Sequence, residues 1–384
     1  MVAAVRQGTS MRSVARRFRV SLRTVQVWVS RSGDQRLDRV DWSNRPRGGR
    51  REQYSTAARI EDLVVRLRQE LRDSSPLGEF GARAIHDELQ RQRVEPLPSV
   101  RTIGRILVRR GQLDVRRRVR RPPPPSGWYL PRVAARKAEL ESFDFVEGLV
   151  IRGGIDVMVL NGMTIHGGMC SSWVKSSWTA KQTVITLIAH WRKHGLPHYA
   201  QFDNDTIFQG AHQWPDSFGR VIRLCLQLGI VPVFAPPRET GFQGAIESYN
   251  GRWQAKVWRR FEHDSLRNLQ HRSDDYVAAS RTRTAARRDA APTRRAFPAK
   301  WKLNLQRPLK GTVIFLRRTN NHGMVGLLGR SYLVDSGWPN RLIRAEVNLS
   351  RGEIHFYRLR RREPKMQSLA TTVPYQTPKK KFKE

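Results

Sequence analysis

The chain has 384 residues, with 71 Lys plus Arg against 33 Asp plus Glu and a formal net charge of +38. A surplus of that size, spread over the whole length, excludes an ordinary near-neutral surface and selects polyanionic partners, nucleic acid first. No apolar run of about 18 residues offers a membrane span, no signal-peptide core opens the chain, and the two distant cysteines, Cys170 and Cys225, exclude a cysteine zinc cluster and suit a reducing cytoplasm.

In chain order, Met11, Val14, Ala15 and Phe18 fall at the spacing of one helix face. Ser21 then caps a second helix that turns Leu22, Val25 and Val29 inward. Two short helices and a tight turn predict a helix-turn-helix within 1–45, with Arg23, Thr24 and Gln26 presented to base edges. A Pro/Gly/Arg segment, Arg45 to Arg51, separates it from a second, similar helical unit over 52–115. Arg116, Arg117, Arg118, Arg120 and Arg121 run into four prolines, so 116–139 reads as a stiff basic linker that tracks phosphates.

From about residue 140 the pattern changes to strands: Phe143–Ile151, Ile155–Ile165 and Met169–Val174. A helix over Thr179–His194 follows, then a strand at 199–202, a helix from Ser217 to Leu228, a strand over Ile230–Phe234 and a helix from Ala245 to Phe261. This order predicts an α/β core over 140–265. Residues 266–304, rich in Arg, Ala and Pro, read as a largely irregular connector. Short alternating strands over 305–360 predict a small β-barrel, and 361–384 a basic tail. The fold class is therefore multidomain: all-α front units, a central α/β core and a small C-terminal barrel.

Three acids occupy telling places: Asp144 on the first core strand, Asp203 just past the fourth, and Glu247 near the start of the last helix. Carboxylates gathered at one sheet edge repel one another unless a cation lies between them. Mg²⁺, or Mn²⁺ in its place, suits such oxygen donors, and two ions can serve an in-line displacement at phosphorus. Asn250 lies on the same helix as Glu247, as do Arg252 and Lys256, two further candidates for phosphate contact. Asp156 is the rival first acid, set aside because it falls on the second strand.

The words Phe202-Asp203-Asn204 and Gly244-Ala245-Ile246-Glu247-Ser248-Tyr249-Asn250, in this order, resemble the DDE integrase and transposase superfamily. The front helices likewise resemble those that open many bacterial transposases. The resemblance covers about residues 140–262. It implies a ribonuclease H-like core, with Asp144, Asp203 and Glu247 as catalytic metal ligands. It further implies DNA cleavage and strand transfer, a homo-oligomer on DNA, and a place in the bacterial cytoplasm near the nucleoid. Two departures stand out. Asp205 replaces the usual Gly after Asp-Asn, and Glu247 follows Asp203 by 44 positions, longer than the family's usual spacing, with an insertion around Gln209–Asp216 to absorb the excess. The alternative is a transposase-derived regulator that binds DNA without cutting it, and a more distant one is a nuclease that cleaves without joining.

Overall fold

The computed structural model describes residues 1–43, 56–113, 127–210, 215–239, 241–376 and 382. The arginines at 116–121, the linker at 45–51 and the end of the basic tail, 377–381 and 383–384, lie outside the described residues, while 361–376 of that tail are described and join the fold. The chain divides into two compact units, Met1–Asp62 and Leu63–Glu384. No helix of the described residues is long and apolar enough to cross a membrane.

The first unit is helical: α1 (Val2–Arg6), α2 (Met11–Arg17) and α3 (Leu22–Ser32). Ser10 and Ser21 cap α2 and α3, each accepting from the backbone N–H three residues on. Such caps satisfy one of the four orphan donors at a helix start. Val14, Ala15 and Val25 close a small core. Arg19 takes the turn with φ 50°, a left-handed conformation that glycine adopts more cheaply.

Helix α4 (Ala58–Ser74) spans the division, and its part from Leu63 on, with α5 (Ala82–Arg91) and α6 (Val100–Arg109), buries Val64, Leu67, Ile85, Leu89, Ile103, Ile106 and Leu107. A short α7 (Pro131–Ala134) leads into β1 (Leu140–Ile151), β2 (Ile155–Thr164) and β3 (Cys170–Lys175), an antiparallel meander. Then come α8 (Ala180–His194), β4 (Tyr199–Phe202), α9 (Thr206–Gln209), α10 (Arg220–Gln227) and β5 (Val231–Phe234). Helix α11 (Gly244–Trp253) runs on as a π-helical turn, Gln254–Trp258. After α12 (Leu266–Arg283) and α13 (Ala285–Asp289) come β6 (Thr312–Arg318), β7 (Met324–Leu327), β8 (Arg330–Leu333), β9 (Leu342–Asn348), β10 (Glu353–Arg358) and β11 (Leu369–Pro374).

Among the described residues, nine strands form one mixed sheet in the order β11-β10-β9-β6-β5-β4-β1-β2-β3, with β7 and β8 as a separate hairpin. Strands β1, β4 and β5 are parallel neighbours. On one face α8 and α10 cover a core that includes Phe143, Trp191, Phe202, Leu224 and Phe234. On the other, α11 and α12 bring Ile246, Tyr249, Trp253, Leu269 and Tyr276 against Val146, Val159 and Met163.

Two expectations are corrected. The strands assigned to a separate barrel over 305–360 instead extend the core sheet, with β6 pairing parallel to β5 through Val233↔Ile314 and Phe234↔Phe315. Phe315, Val347 and Phe356 join the same apolar core as Phe202, so burying this surface needs no second closed domain. The connector over 266–304 is also more ordered than its composition suggests. Its first half is the 18-residue α12, held by buried Leu269, Ser273, Tyr276 and Val277 at helical spacing. Side chains of α12 also finish the outer edge of β3. Gln270 accepts from Val174 N–H (2.7 Å) and donates to Ser172 C=O (3.2 Å), and Arg281 donates to Cys170 C=O (2.8 Å).

Candidate active site

Alternation along β1 decides where its acid points. Phe143 enters the core and stacks on Phe202 at 5.6 Å, so Ser142 and Asp144 face the side covered by α11. Strand β4 runs parallel to β1 with Gln201 opposite Ser142, so Asp203, two positions on, arrives beside Asp144. Helix α11 is seated by Ile246, Tyr249 and Trp253, all fully buried. Tyr249 and Trp253 are further tied by hydrogen bonds to Ser172 (2.7 Å) and Ser273 (2.9 Å). This seating presents Asn250 to Asp144, its Nδ2 donating to Oδ2 at 2.7 Å. Asn161, opposite Asp144 on β2, donates in turn to Asn250 Oδ1 at 2.8 Å. Glu247, one turn earlier, is exposed.

Charge crowds here. Burial first, and then the charges of Asp203 and Glu247, push the Asp144 carboxyl up to about 7, against the pull of the Phe145 N–H and Asn250. Asp203 is also raised, by burial first, and by the charges of Asp205 and of Glu147 in the bulge of β1, while the Asp205 N–H bond lowers it. Asp205 itself caps α9, accepting from Ile207 N–H at 2.6 Å with an ordinary φ of −60°. The turn after Asp203-Asn204 therefore needs no glycine, and the acid that replaces it has a local job. Asn204 donates to Ala235 C=O (2.7 Å) and accepts from Arg317 (2.9 Å). Burial lowers the Arg317 guanidinium to about 10, and β6 thus reaches the loop that carries Asp203.

Asp203 and Glu247 both lie within electrostatic reach of Asp144, and Asp156 is not among the groups that act on it. It is exposed, and pairs with Val150 toward the far end of β1. The donor set is hard oxygen, and the mutual repulsion of Asp144 and Asp203 is what a divalent cation relieves, so the chemistry fits Mg²⁺. Among the described residues, however, no group of three or more His, Cys, Asp or Glu is drawn closely enough together to hold a metal ion.

The other candidates are placed as follows. Arg23 and Gln26 are exposed on α3, while the Thr24 hydroxyl is bonded to Ser21 at 2.8 Å. Arg252 is exposed beside the Tyr276 phenol. Lys256 does not have a free head: its ammonium donates to Gly78 C=O at 2.7 Å and lies over Phe80. That contact anchors the segment after α4 rather than offering charge to phosphate. The sequence reading missed Asn161, whose polar side chain in an apolar strand was a usable signal. It missed Arg317 as well, for which nothing local stood out.

No family model and no curated protein matches the chain. Among solved structures it is similar to the catalytic core domain of BIV integrase, at 16% identity and a TM-score of 0.28, over 36% of this chain and 81% of that one.

Proposed function

We propose that this protein is a DDE-type DNA transposase or integrase, with a ribonuclease H-like core that cleaves a phosphodiester and joins the freed 3′-hydroxyl to target DNA. The observation that carries this reading is the crowding of Asp144, Asp203 and Glu247, from β1, the end of β4 and α11, in a chain of net charge +38. Asp144 and Asp203, with Glu247 as third, would hold a pair of Mg²⁺ or Mn²⁺ ions; bound there, the metal would activate the attacking oxygen and stabilise the leaving one. The chain's own groups prepare that site. Asn250 fixes the Asp144 carboxylate, the Asp205 N–H fixes Asp203, and Arg317 with Asn204 braces the loop between them. The front helices, through Arg23, Thr24 and Gln26, would read element ends, and Arg116 to Arg121 would follow the backbone. Holding two ends at once implies a homo-oligomer on DNA, in the bacterial cytoplasm.

A second reading is a regulator that binds DNA without cutting it. It is favoured by the lack, among the described residues, of three carboxylates close enough to share a metal. A paired assay separates the two. Asp203→Ala and Glu247→Ala should abolish Mg²⁺-dependent nicking of a DNA end and leave gel-shift binding nearly intact, because carboxylates without a cation only repel phosphate. Wild-type protein that binds but never nicks with Mg²⁺ or Mn²⁺ establishes the regulator. Joint loss of binding and nicking in the variants makes the acids structural.

A further inference from the structure

The second unit has a cavity of about 720 Å³ whose lining includes none of the three acids. Six arginines line it: Arg238 from the loop after β5, Arg318 at the end of β6, Arg341 before β9, and Arg360, Arg361 and Arg362 after β10. Only two carboxylates, Glu239 and Glu363, share the lining. Guanidiniums at that density repel one another, and a concave low-dielectric wall focuses the resulting field outward. Their planar forks match phosphate oxygens two at a time.

The wall is built to hold these groups in place. Arg341 and Arg360 lie over the buried Trp338 ring at 4.7 and 5.1 Å, and Arg361 lies over Phe242 at 5.0 Å. Stacking fixes the direction of each fork, and the N–H edges of Arg360 and Arg361 already hold carboxylates, Glu363 and Glu239. Glu239 shows where an anion goes. Its side chain is only 15% exposed, and its carboxylate bridges Arg318 and Arg361. It also sits on the loop that leads from β5 to α11, eight positions before Glu247.

We propose that this cavity binds the phosphodiester backbone of DNA, and that Glu239 fills it as an internal stand-in for phosphate until DNA displaces the carboxylate. The proposal rests on the DNA-binding part of the function above. It adds a groove that no base-reading helix supplies, and a link from that groove to the acid-bearing helix. A backbone phosphate entering between Arg318 and Arg361 releases Glu239, and with it the loop that positions Glu247.

The test uses the full chain and a short labelled duplex of random sequence, with anisotropy titrations repeated across a salt series. Arg341→Gln combined with Arg362→Gln should lower the log–log salt slope by about 1.8, since each phosphate contact contributes about 0.9. Glu239→Gln should bind roughly fivefold tighter at low salt, because a competing like charge is gone. A gain of affinity cannot come from misfolding, and thermal melts of all variants check the double substitution. Arg267→Gln, an exposed arginine on α12, is the control. An unchanged slope in a folded double variant overturns the groove while leaving DNA binding in place. So does an equal loss in the Arg267 control. A Glu239→Gln variant no tighter than wild type overturns the stand-in. A flat salt response of the wild-type protein sinks the DNA reading itself, and the groove with it.

Discussion

Asp144→Asn should stabilise the metal-free protein at alkaline pH. The carboxyl stands at about 7 in the fold against an ordinary value of 3.8. A group raised in this way contributes stability that is fully present below about pH 3.8 and drains away as pH climbs through 7. Three units correspond to about 4 kcal/mol at 1.36 kcal/mol per unit, and partial contact with water reduces this to about 2 kcal/mol. Asparagine keeps the shape and can still accept from Asn250, so the variant loses little else. Urea unfolding followed by tryptophan fluorescence, in EDTA, should show near-equal stability at pH 4 and a gap of about 2 kcal/mol in favour of the variant by pH 8. Added Mg²⁺ should then raise the wild type and leave the variant unmoved, since binding to the native state alone stabilises it. A variant no more stable than wild type at pH 8 would refute the claim that burial and neighbouring charge strain this acid.

Glu141→Gln should cost about 3–5 kcal/mol in the same unfolding assay, because it leaves buried His190 and half-buried Arg294 without their anion. Burial opposes ionisation there, yet the charges of Arg294 and His190 hold the carboxyl well below the usual range. The stability it supplies is present above the ordinary carboxylate value and fades as pH falls through its lowered one, so the deficit should persist at pH 5. Gly323→Ala should cost about 2–4 kcal/mol. Its φ is 71°, and a Cβ there would collide with the Asp335 carbonyl oxygen. A melting temperature within a degree of wild type would count against either reasoning.

The central strands and helices were legible because their signals are local. Apolar runs between turn residues marked β1 to β5, and the words around Asp203 and Glu247 marked two loop-to-helix junctions. The C-terminal strands were legible as strands but not as neighbours of β5, since that contact is two residue pairs between segments some 80 positions apart. Helix α12 was hidden by its arginines. Leu269, Ser273, Tyr276 and Val277 carry its periodicity, and a serine at a core position defeats a hydrophobic count. At the site, the acids could be guessed one by one. The Asn161–Asn250–Asp144 chain could not, because it joins β2, α11 and β1 through pairings that only the folded sheet defines. Glu141 reads as a surface acid until Arg294, 153 positions later, is laid against it.

The edge of β3 bears on how copies of this protein can meet. An open strand edge is a template on which another chain can add its own strand. Here Gln270 offers its amide as a neighbouring peptide would, taking one N–H and one C=O of β3, and Arg281 takes the next carbonyl. A second copy would have to displace both side chains before it could continue the sheet on that side. Any assembly of copies must therefore be sought elsewhere than in strand addition at this border.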